Sequence, residues 1–317
     1  MSEKIPIMKP VQVVRLILRL LIGGMFIAAA VMKLISLDEF EVYIYSFNLF
    51  GYLFSTLVAR AVIATELILG AALIAKICYK QVWWLIQLML VGFSLLLVYV
   101  MLFRHDTNCH CFGDLVELDP AASLIKNIVT FGLMFFIRKE EDYQFKGKKW
   151  CAAAIVVVGL VVPFVLFTPD SVYNKFVNPN DKLNVEAYNQ ALTDSTFCDL
   201  QLTEGRYLVG FFASGCQYCR QSLHKVNTIM QNHAISHDSL KYYIWGSEEG
   251  IVKFKEETAT QDVMHCLISP ITAINITFGS FPVYALVENG RVVKSFDYRG
   301  IDERDIVAFL KENKTIK

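Results

Sequence analysis

Charge is scarce in this sequence of 317 residues, and neither sign is in excess. Asp, Glu, Lys and Arg make up 19% of the chain, with 30 basic residues against 30 acidic ones. No basic patch remains once the flanks of the apolar segments are set aside, so we expect no nucleic-acid partner. The hydrophobic content of 55% and the mean hydropathy of +0.42 exceed those of ordinary soluble proteins, which predicts a protein embedded in a lipid bilayer.

Five apolar segments are long enough to cross a bilayer, which takes about 20 helical residues. The fourth is the weakest because Lys126 and Asn127 interrupt it. An alternative treats residues 1–30 as a cleaved signal peptide, but Arg15 and Arg19 at the start of the apolar stretch favour a retained helix. The predicted spans are residues 13–33, 57–77, 82–103, 120–137 and 150–168.

Basic residues are distributed unevenly between these spans. The N-terminal segment and the loops 76–80 and 138–149 carry Lys and Arg, whereas residues 34–56 have none and residues 104–119 have only Arg104. By the positive-inside rule the N-terminus lies in the cytoplasm, and an odd number of spans puts everything after Thr168 on the other side. We therefore expect a multi-pass membrane protein with its C-terminal region on the non-cytoplasmic face.

The C-terminal region alternates strand and helix patterns after a polar linker at residues 169–186. Apolar runs at 207–212 and 240–245 predict buried strands, and the helical spacing at 220–232 predicts a helix between them. Glu288-Asn289-Gly290 is a hairpin turn signal between two further strands, and residues 302–312 predict a final helix. This order places Cys216 and Cys219 between the first strand and the first helix.

Two cysteines at this spacing and place suit thiol–disulfide exchange. A helix N-terminus stabilises negative charge, so we expect Cys216 to be the exposed thiolate nucleophile. Cys219 lies one helical turn further on, where it can resolve a mixed disulfide. The alternatives are a structural disulfide and half of a zinc site. Zinc would need further ligands, for which His224 and His233 on the following helix are the candidates.

The run from Phe211 to Cys219, followed by Phe281-Pro282-Val283 before the hairpin, resembles the thioredoxin superfamily and is similar in layout to membrane-tethered TlpA-like thioredoxins. The resemblance covers about 130 residues. It implies that Pro282 is cis, faces the cysteine pair and shapes the substrate groove. Two positions depart from the family pattern, with Gly215 in place of the usual tryptophan and Gly210 in place of a buried aspartate.

A second cysteine motif, Cys109-His110-Cys111-Phe112-Gly113-Asp114, follows the third span. It resembles the signature of the MauE/DoxX-type redox-associated membrane proteins, and the resemblance covers roughly residues 10–140. The resemblance implies a four-helix bundle in the bacterial inner membrane that supports disulfide formation or the maturation of a periplasmic enzyme. The non-cytoplasmic C-terminal region then lies in the periplasm.

A disulfide between Cys109 and Cys111 closes a very small ring, and strain makes such a bond easier to reduce. We therefore expect electrons to pass from periplasmic protein thiols through Cys216 and Cys219 to Cys109 and Cys111. No cofactor motif accompanies the second pair, so a membrane quinone is the expected acceptor.

Three alternatives remain open at this point. The first is inward electron flow from the cytoplasm, although Cys78 and Cys151 on that side stand in no paired motif. The second is a zinc or copper site, because His105 and His110 with the Cys109–Cys111 pair match such a set, although the spacing is too tight for ordinary zinc sites. The third is a non-catalytic assembly or metal-delivery factor.

Two features of the sequence have more than one interpretation. Glu66 lies within a span, where a charge is costly; it could relay protons or pair with Lys33, Arg60 or Arg19. Cys198 and Cys266 could form a structural disulfide, or Cys266 could be a free buried thiol.

The expected fold class is an α-helical membrane bundle of four helices plus a connecting fifth, followed by an α/β thioredoxin-like domain. The expected domains are residues 1–140 for the MauE/DoxX-like bundle, 141–186 for the fifth helix and linker, and 187–317 for the periplasmic thioredoxin-like domain. The expected activity is that of a thiol–disulfide oxidoreductase without a bound metal.

Overall fold

A computed structural model describes residues 10–104, 119–176, 182–194 and 197–311. Contacts between Cα atoms divide the chain into two compact units. The first consists of Met1–Tyr43 and Thr56–Thr168, and the second consists of Ile44–Ser55 and Pro169–Lys317.

The first unit is helical and carries apolar helices of membrane length. Among the described residues, four helices are long and apolar enough to span a bilayer, so the protein is a multi-pass membrane protein. The helices of this part of the chain are α1 (Pro10–Ile35), α2 (Leu37–Tyr45), α3 (Tyr52–Ala75), α4 (Tyr79–Tyr99, continued by a π-helical turn Val100–Arg104), α5 (Pro120–Phe136) and α6 (Lys148–Val161, continued by a π-helical turn Val162–Leu166).

Helix α5 is shorter than the spanning helix that we expect from the sequence at residues 120–137. It has 17 residues, or about 26 Å of helix at 1.5 Å per residue. The Asp119 side chain caps it by accepting a hydrogen bond from the backbone N–H of Ala121 at 3.0 Å, and Pro120 occupies the first turn. Both residues favour a helix start at this point, which sets the length.

Two glycines allow α1 and α3 to pack closely. A Cβ added to Gly23 would lie 2.9 Å from the carbonyl oxygen of Gly70, and one added to Gly70 would lie 2.7 Å from the carbonyl oxygen of Gly23. Both distances are below a normal carbon–oxygen contact. Small residues at such a crossing let helix backbones approach each other inside a bilayer.

Buried charges of the first unit are paired with one another. Lys33 Nζ donates to both carboxylate oxygens of Glu66, at 2.7 and 2.8 Å, and both side chains are buried. Of the three candidate partners of Glu66 in the sequence, Lys33, Arg60 and Arg19, the structure therefore pairs it with Lys33. Arg60 pairs with Glu41 and donates its Nε–H to the carbonyl of Phe167 at 3.1 Å. Pairing matters here because an isolated charge in a low-dielectric interior is expensive.

Replacing Lys33 by Met should destabilise the bundle, because the Glu66 carboxylate would be left buried without its counter-charge. We expect a loss of about 3 to 5 kcal/mol in the free energy of unfolding, the usual cost of breaking a buried pair. The measurement is denaturant unfolding of the purified protein in micelles. Lys80→Met, which removes an exposed lysine, is the control and should change stability by less than about 0.5 kcal/mol. Equal stability of the two variants would contradict the prediction. The double variant Lys33→Met, Glu66→Leu should recover most of the lost stability, because no unpaired charge is left buried.

The second unit contains a mixed sheet. In the described part of the chain the sheet has five strands in the order β3-β2-β1-β4-β5. Strands β1, β2 and β3 are parallel, whereas β4 is antiparallel to both β1 and β5. The strands are β1 (Arg206–Ala213), β2 (Leu240–Trp245), β3 (His265–Leu267), β4 (Val283–Glu288) and β5 (Arg291–Asp297).

Helices cover both faces of this sheet. Tyr188 of α8 and Ile276 of α11 join the core cluster that contains Phe211 and Tyr243, whose rings stack with centroids 5.3 Å apart. On the other face the ring of Phe212 packs against α10, and α9 lies over β4. The helices of this unit are α7 (Asp170–Phe176), α8 (Val185–Leu192), α9 (Gln217–Asn232), α10 (Glu248–Glu257), α11 (Pro270–Thr277) and α12 (Glu303–Lys311). This three-layer arrangement is the thioredoxin-like fold expected from the sequence.

A disulfide joins Cys198 to Cys266, with 5.8 Å between the Cα atoms. Of the two interpretations left open by the sequence, the structure shows the structural disulfide. The bond links the segment before β1 to the edge strand β3 across 68 residues of sequence.

Residues 44–55 belong to the second unit through contacts with the C-terminal helix. The Glu303 carboxylate accepts hydrogen bonds from the Tyr45 hydroxyl at 2.8 Å and from the Tyr52 backbone N–H at 2.6 Å. His233 Nε2 lies 2.6 Å from the same carboxylate. These bonds hold the pKa of Glu303 below its usual value even though burial acts to raise it. His233 is thus engaged with a carboxylate on α12.

Candidate functional site

The cysteine pair stands where β1 gives way to α9. The strand ends at Ala213, and Cys216 is the N-cap residue of the helix. Its Sγ accepts a hydrogen bond from the backbone N–H of Cys219 at 3.2 Å. A sulfur in this position satisfies one of the helix N–H groups that have no intrahelical partner, and the helix dipole favours negative charge there. The predicted helix at 220–232 therefore begins earlier, at Gln217, with Cys216 at its N-cap and Cys219 in its first turn.

The two sulfur atoms differ sharply in environment. Cys216 is partly exposed, whereas Cys219 is completely buried. A hydrogen bond from the Cys219 thiol, joined by the backbone N–H groups of Cys219 and Tyr218 and by the charge of Arg220, lowers the pKa of Cys216 to about 6 against the opposing effect of burial. Burial and the proximity of Cys216 raise the pKa of Cys219. At neutral pH the pair therefore holds an accessible thiolate and a buried thiol.

Pro282 faces this pair from the start of β4. The peptide bond between Phe281 and Pro282 is cis, as the resemblance implies, and Pro282 is buried. The carbonyl oxygen of Phe281 lies 3.8 Å from Cys216 Sγ, close enough to accept a hydrogen bond from the thiol form. Three of the five residues that the sequence nominates for the site, Cys216, Cys219 and Pro282, thus lie together.

Arg220 and Tyr218 complete the surroundings of the nucleophile. The Arg220 guanidinium donates to the carbonyl of Ser214 at 2.7 Å and pairs with Glu257 at 2.6 Å. Tyr218 is 53% exposed and stacks on Tyr298, with ring centroids 5.1 Å apart. The exposed ring of Tyr218, stacked on the partly buried Tyr298, leaves an apolar surface two residues from Cys216.

Two hydroxyl groups near Cys219, those of Ser222 and Tyr284, were not expected from the sequence. Ser222 Oγ donates to the carbonyl of Cys219 at 2.9 Å and lies 2.9 Å from the hydroxyl of Tyr284. Both side chains are buried. The sequence does hold one indication of such a group, because Tyr284 stands two residues after Pro282 in an otherwise apolar strand.

The second motif lies outside the described residues. This applies to Cys109 and Cys111, to the neighbouring His105 and His110, and to Asp114. The segment that carries them connects the end of α4 at Arg104 to the start of α5 at Pro120. Within the described ranges, no group of three or more His, Cys, Asp or Glu side chains is arranged to hold a metal ion.

The domain is of the thioredoxin-like class. Three features define it: the topology of the sheet, the cysteine pair at the N-terminus of α9 and the cis-proline near this pair. The chain therefore joins apolar membrane helices to a domain of the thioredoxin-like class.

Comparisons with known proteins agree with this class. Residues 11–138 match the family model described as methylamine utilisation protein MauE, so the N-terminal region of the chain is a MauE domain. The chain is also similar to "Protein TlpB" of Flavobacterium psychrophilum, with 23% identity over 296 residues covering 77% of this chain and 80% of that protein. No solved structure gives a significant match.

The pKa of Cys216 should depend on the hydrogen bond from the Cys219 thiol. In full-length protein we expect alkylation of Cys216 by iodoacetamide to rise with a midpoint near pH 6, because only the thiolate reacts. Cys219→Ala removes the largest cause of the lowered pKa, so the midpoint should move towards the ordinary thiol value of about 8.5.

Mass spectrometry of the peptide that contains Cys216 separates this reaction from that of the other thiols. Cys219→Ser keeps a hydrogen-bond donor at the same position and is the matched control, with a midpoint close to that of the native chain. A native midpoint above about 8 would contradict the assignment.

Proposed function

We propose that this protein is a membrane-bound thiol–disulfide oxidoreductase that exchanges disulfides with proteins through Cys216 and Cys219. The observation that carries the proposal is the division of the pair into an accessible thiolate and a buried thiol beside cis-Pro282. The MauE match and the similarity to TlpB support a redox-related function in the membrane.

In this proposal Cys216 is the sulfur that exchanges with other proteins, and Cys219 resolves the mixed disulfide when the pair is reoxidised. A substrate thiolate attacks Cys216 Sγ of the enzyme disulfide, and the bond to Cys219 breaks. A second substrate thiol then displaces Cys216, so the substrate leaves oxidised and the enzyme pair is reduced. A sulfur with a lowered pKa leaves readily, and its stabilised thiolate favours the reduced pair, which makes the disulfide more oxidising. The lowered pKa of Cys216 therefore supports electron flow from substrate to enzyme.

Cys109 and Cys111 are proposed to reoxidise Cys216 and Cys219 by a second exchange. The support is the CxC spacing, because a disulfide across such a small ring is easily reduced. The distribution of basic residues supports a periplasmic location for both motifs and for substrates with periplasmic thiols. The proposed domains are the bundle at 1–140, the fifth helix and linker at 141–186, and the periplasmic thioredoxin-like domain at 187–317.

A membrane quinone is the proposed terminal acceptor. Helices α4 and α5, which the segment carrying Cys109 and Cys111 connects, enclose a cleft of about 250 Å³ lined mainly by apolar side chains. Asn127 on α5 and Ser94 on α4 are its polar lining residues. Among the described groups, Nδ2 of the buried Asn127 has no hydrogen-bond partner, and it could donate to a quinone carbonyl.

Inward electron flow is the second candidate, and one observation favours it. The turn before α4 and the segment before α6 touch, because the backbone N–H of Tyr143 donates to the carbonyl of Lys76 at 3.0 Å. Cys78 and Cys151 flank this contact, and both are free thiols.

A trap variant tests the exchange activity. Cys219→Ser should accumulate mixed disulfides through Cys216 in cell membranes, because the resolving thiol is gone. Non-reducing electrophoresis followed by reductant-sensitive release of the partners gives the measurement. The double variant Cys216→Ser with Cys219→Ser should show none of these adducts. If Cys219→Ser also forms none, a non-catalytic assembly or metal-delivery role is favoured.

The redox state of the pair tests the direction of flow. With Cys111→Ser, thiol labelling of rapidly acid-quenched membranes should find Cys216 and Cys219 mostly reduced, because their oxidant is missing. Cys78→Ser is the control and should leave the pair as oxidised as in the native chain. A pair that stays oxidised in Cys111→Ser would show the relay to be wrong. A mostly reduced native pair would instead support inward electron flow.

A further inference from the structure

The resolving cysteine has to lose its proton inside the protein. Cys219 is completely buried, and the groups that act on its pKa are the Cys216 sulfur, the backbone of Ala213 and the charge of Arg220. None of these is a carboxylate that could accept the proton. The resolving step therefore needs another group that stabilises charge on the Cys219 sulfur.

Position 210 on β1 does not supply such a group. Gly210 lies beside the ring of Phe212, and an added Cβ would come within 2.3 Å of that ring. A side chain at this position would therefore require the ring to move. Instead, the polar group comes from the neighbouring strand, where Tyr284 of β4 is directly paired with Gly210.

The Tyr284 hydroxyl reaches Ser222 in the second turn of α9. It lies 2.9 Å from Ser222 Oγ, which itself donates to the carbonyl of Cys219 at 2.9 Å. Since Ser222 has one proton and gives it to that carbonyl, the Tyr284 hydroxyl donates to Ser222. Cys219 and Ser222 are three residues apart on a helix and share its buried face.

The surroundings of this hydroxyl are otherwise apolar. Phe212 of β1 contacts the Tyr284 ring edge-on, and Phe296 of β5 stacks on it with centroids 5.9 Å apart. The titratable groups that act on it come from α9 and are Cys219 and Cys216. Burial raises the pKa of Tyr284 well above its usual value, so the hydroxyl stays protonated and remains a hydrogen-bond donor.

We propose that Tyr284 is a positioning residue whose hydroxyl proton, donated to Ser222 Oγ in the resting protein, turns to the Cys219 sulfur and stabilises the thiolate during resolution. This inference rests on the proposed function of the cysteine pair. In the step, Cys219 Sγ attacks Cys216 Sγ of the mixed disulfide and a bond forms between them. The bond from Cys216 to the partner's sulfur breaks, and the departing thiolate takes up the proton that Cys219 loses. Tyr284 keeps its own proton throughout.

A colorimetric disulfide measures the two steps separately. Ellman's reagent, a disulfide of thionitrobenzoate, should react with Cys216 and release one thionitrobenzoate. Attack by Cys219 on the adduct then releases the second. The full chain is used with Cys78, Cys109, Cys111 and Cys151 replaced by Ser, which confines the reaction to the pair under study.

Tyr284→Phe should slow the second release about tenfold or more, the factor expected for one hydrogen bond to a charged atom. The pH midpoint of this release should also rise, because the Cys219 thiolate is less stable. The first release should change by less than about twofold. Tyr242→Phe is the matched control, since Tyr242 is an equally buried tyrosine whose hydroxyl faces Thr260 instead.

The outcomes separate the inference from the function on which it rests. Unchanged rate and midpoint in Tyr284→Phe would overturn the role of Tyr284. Equal slowing in both tyrosine variants, with no shift in midpoint, would reduce Tyr284 to a packing residue and also overturn it. If the chain with native Tyr284 never gives a second release, the proposed function of the pair fails as well.

Discussion

Hydrogen bonds at the N-terminus of α9 give the two cysteines of the pair different properties. They stabilise negative charge on Cys216, while the same helix buries Cys219 one turn below. The two thiols therefore differ. Cys216 is accessible and has a lowered pKa, whereas Cys219 is buried and has a raised pKa. This arrangement depends on the sheet. Because β4 runs antiparallel to β1, the end of β1 and cis-Pro282 before β4 lie at the same end of the sheet.

The sequence was most informative where a function depends on local pattern. The Cys216–Cys219 spacing, the flanking strand and helix, Pro282 and the hairpin predicted the thioredoxin-like fold and the neighbourhood of the nucleophile. Long apolar runs also predicted the four membrane-length helices of the described residues, because one segment determines that signal, whereas the fourth predicted span is the shorter helix α5. The three-residue strand β3 was missed, since so short a strand has almost no alternation to detect.

The remaining features depend on residues that meet only after folding. Lys33 was one of three acceptable partners for Glu66, and helix packing decides among them. The pairing of Cys198 with Cys266 needs the segment before β1 to reach the edge strand. The position of Tyr284 opposite Gly210 is a matter of strand register, which the hairpin turn sets for β4 and β5 but not for β4 and β1.

The Cys198–Cys266 disulfide makes the structure of the domain itself depend on thiol oxidation. Cys266 belongs to the core cluster of the sheet, so the two cysteines are oxidised as part of building the domain rather than during its work. Such bonds form and persist mainly in oxidising compartments. Completing this domain therefore takes the oxidation of two thiols, separate from any exchange at Cys216 and Cys219.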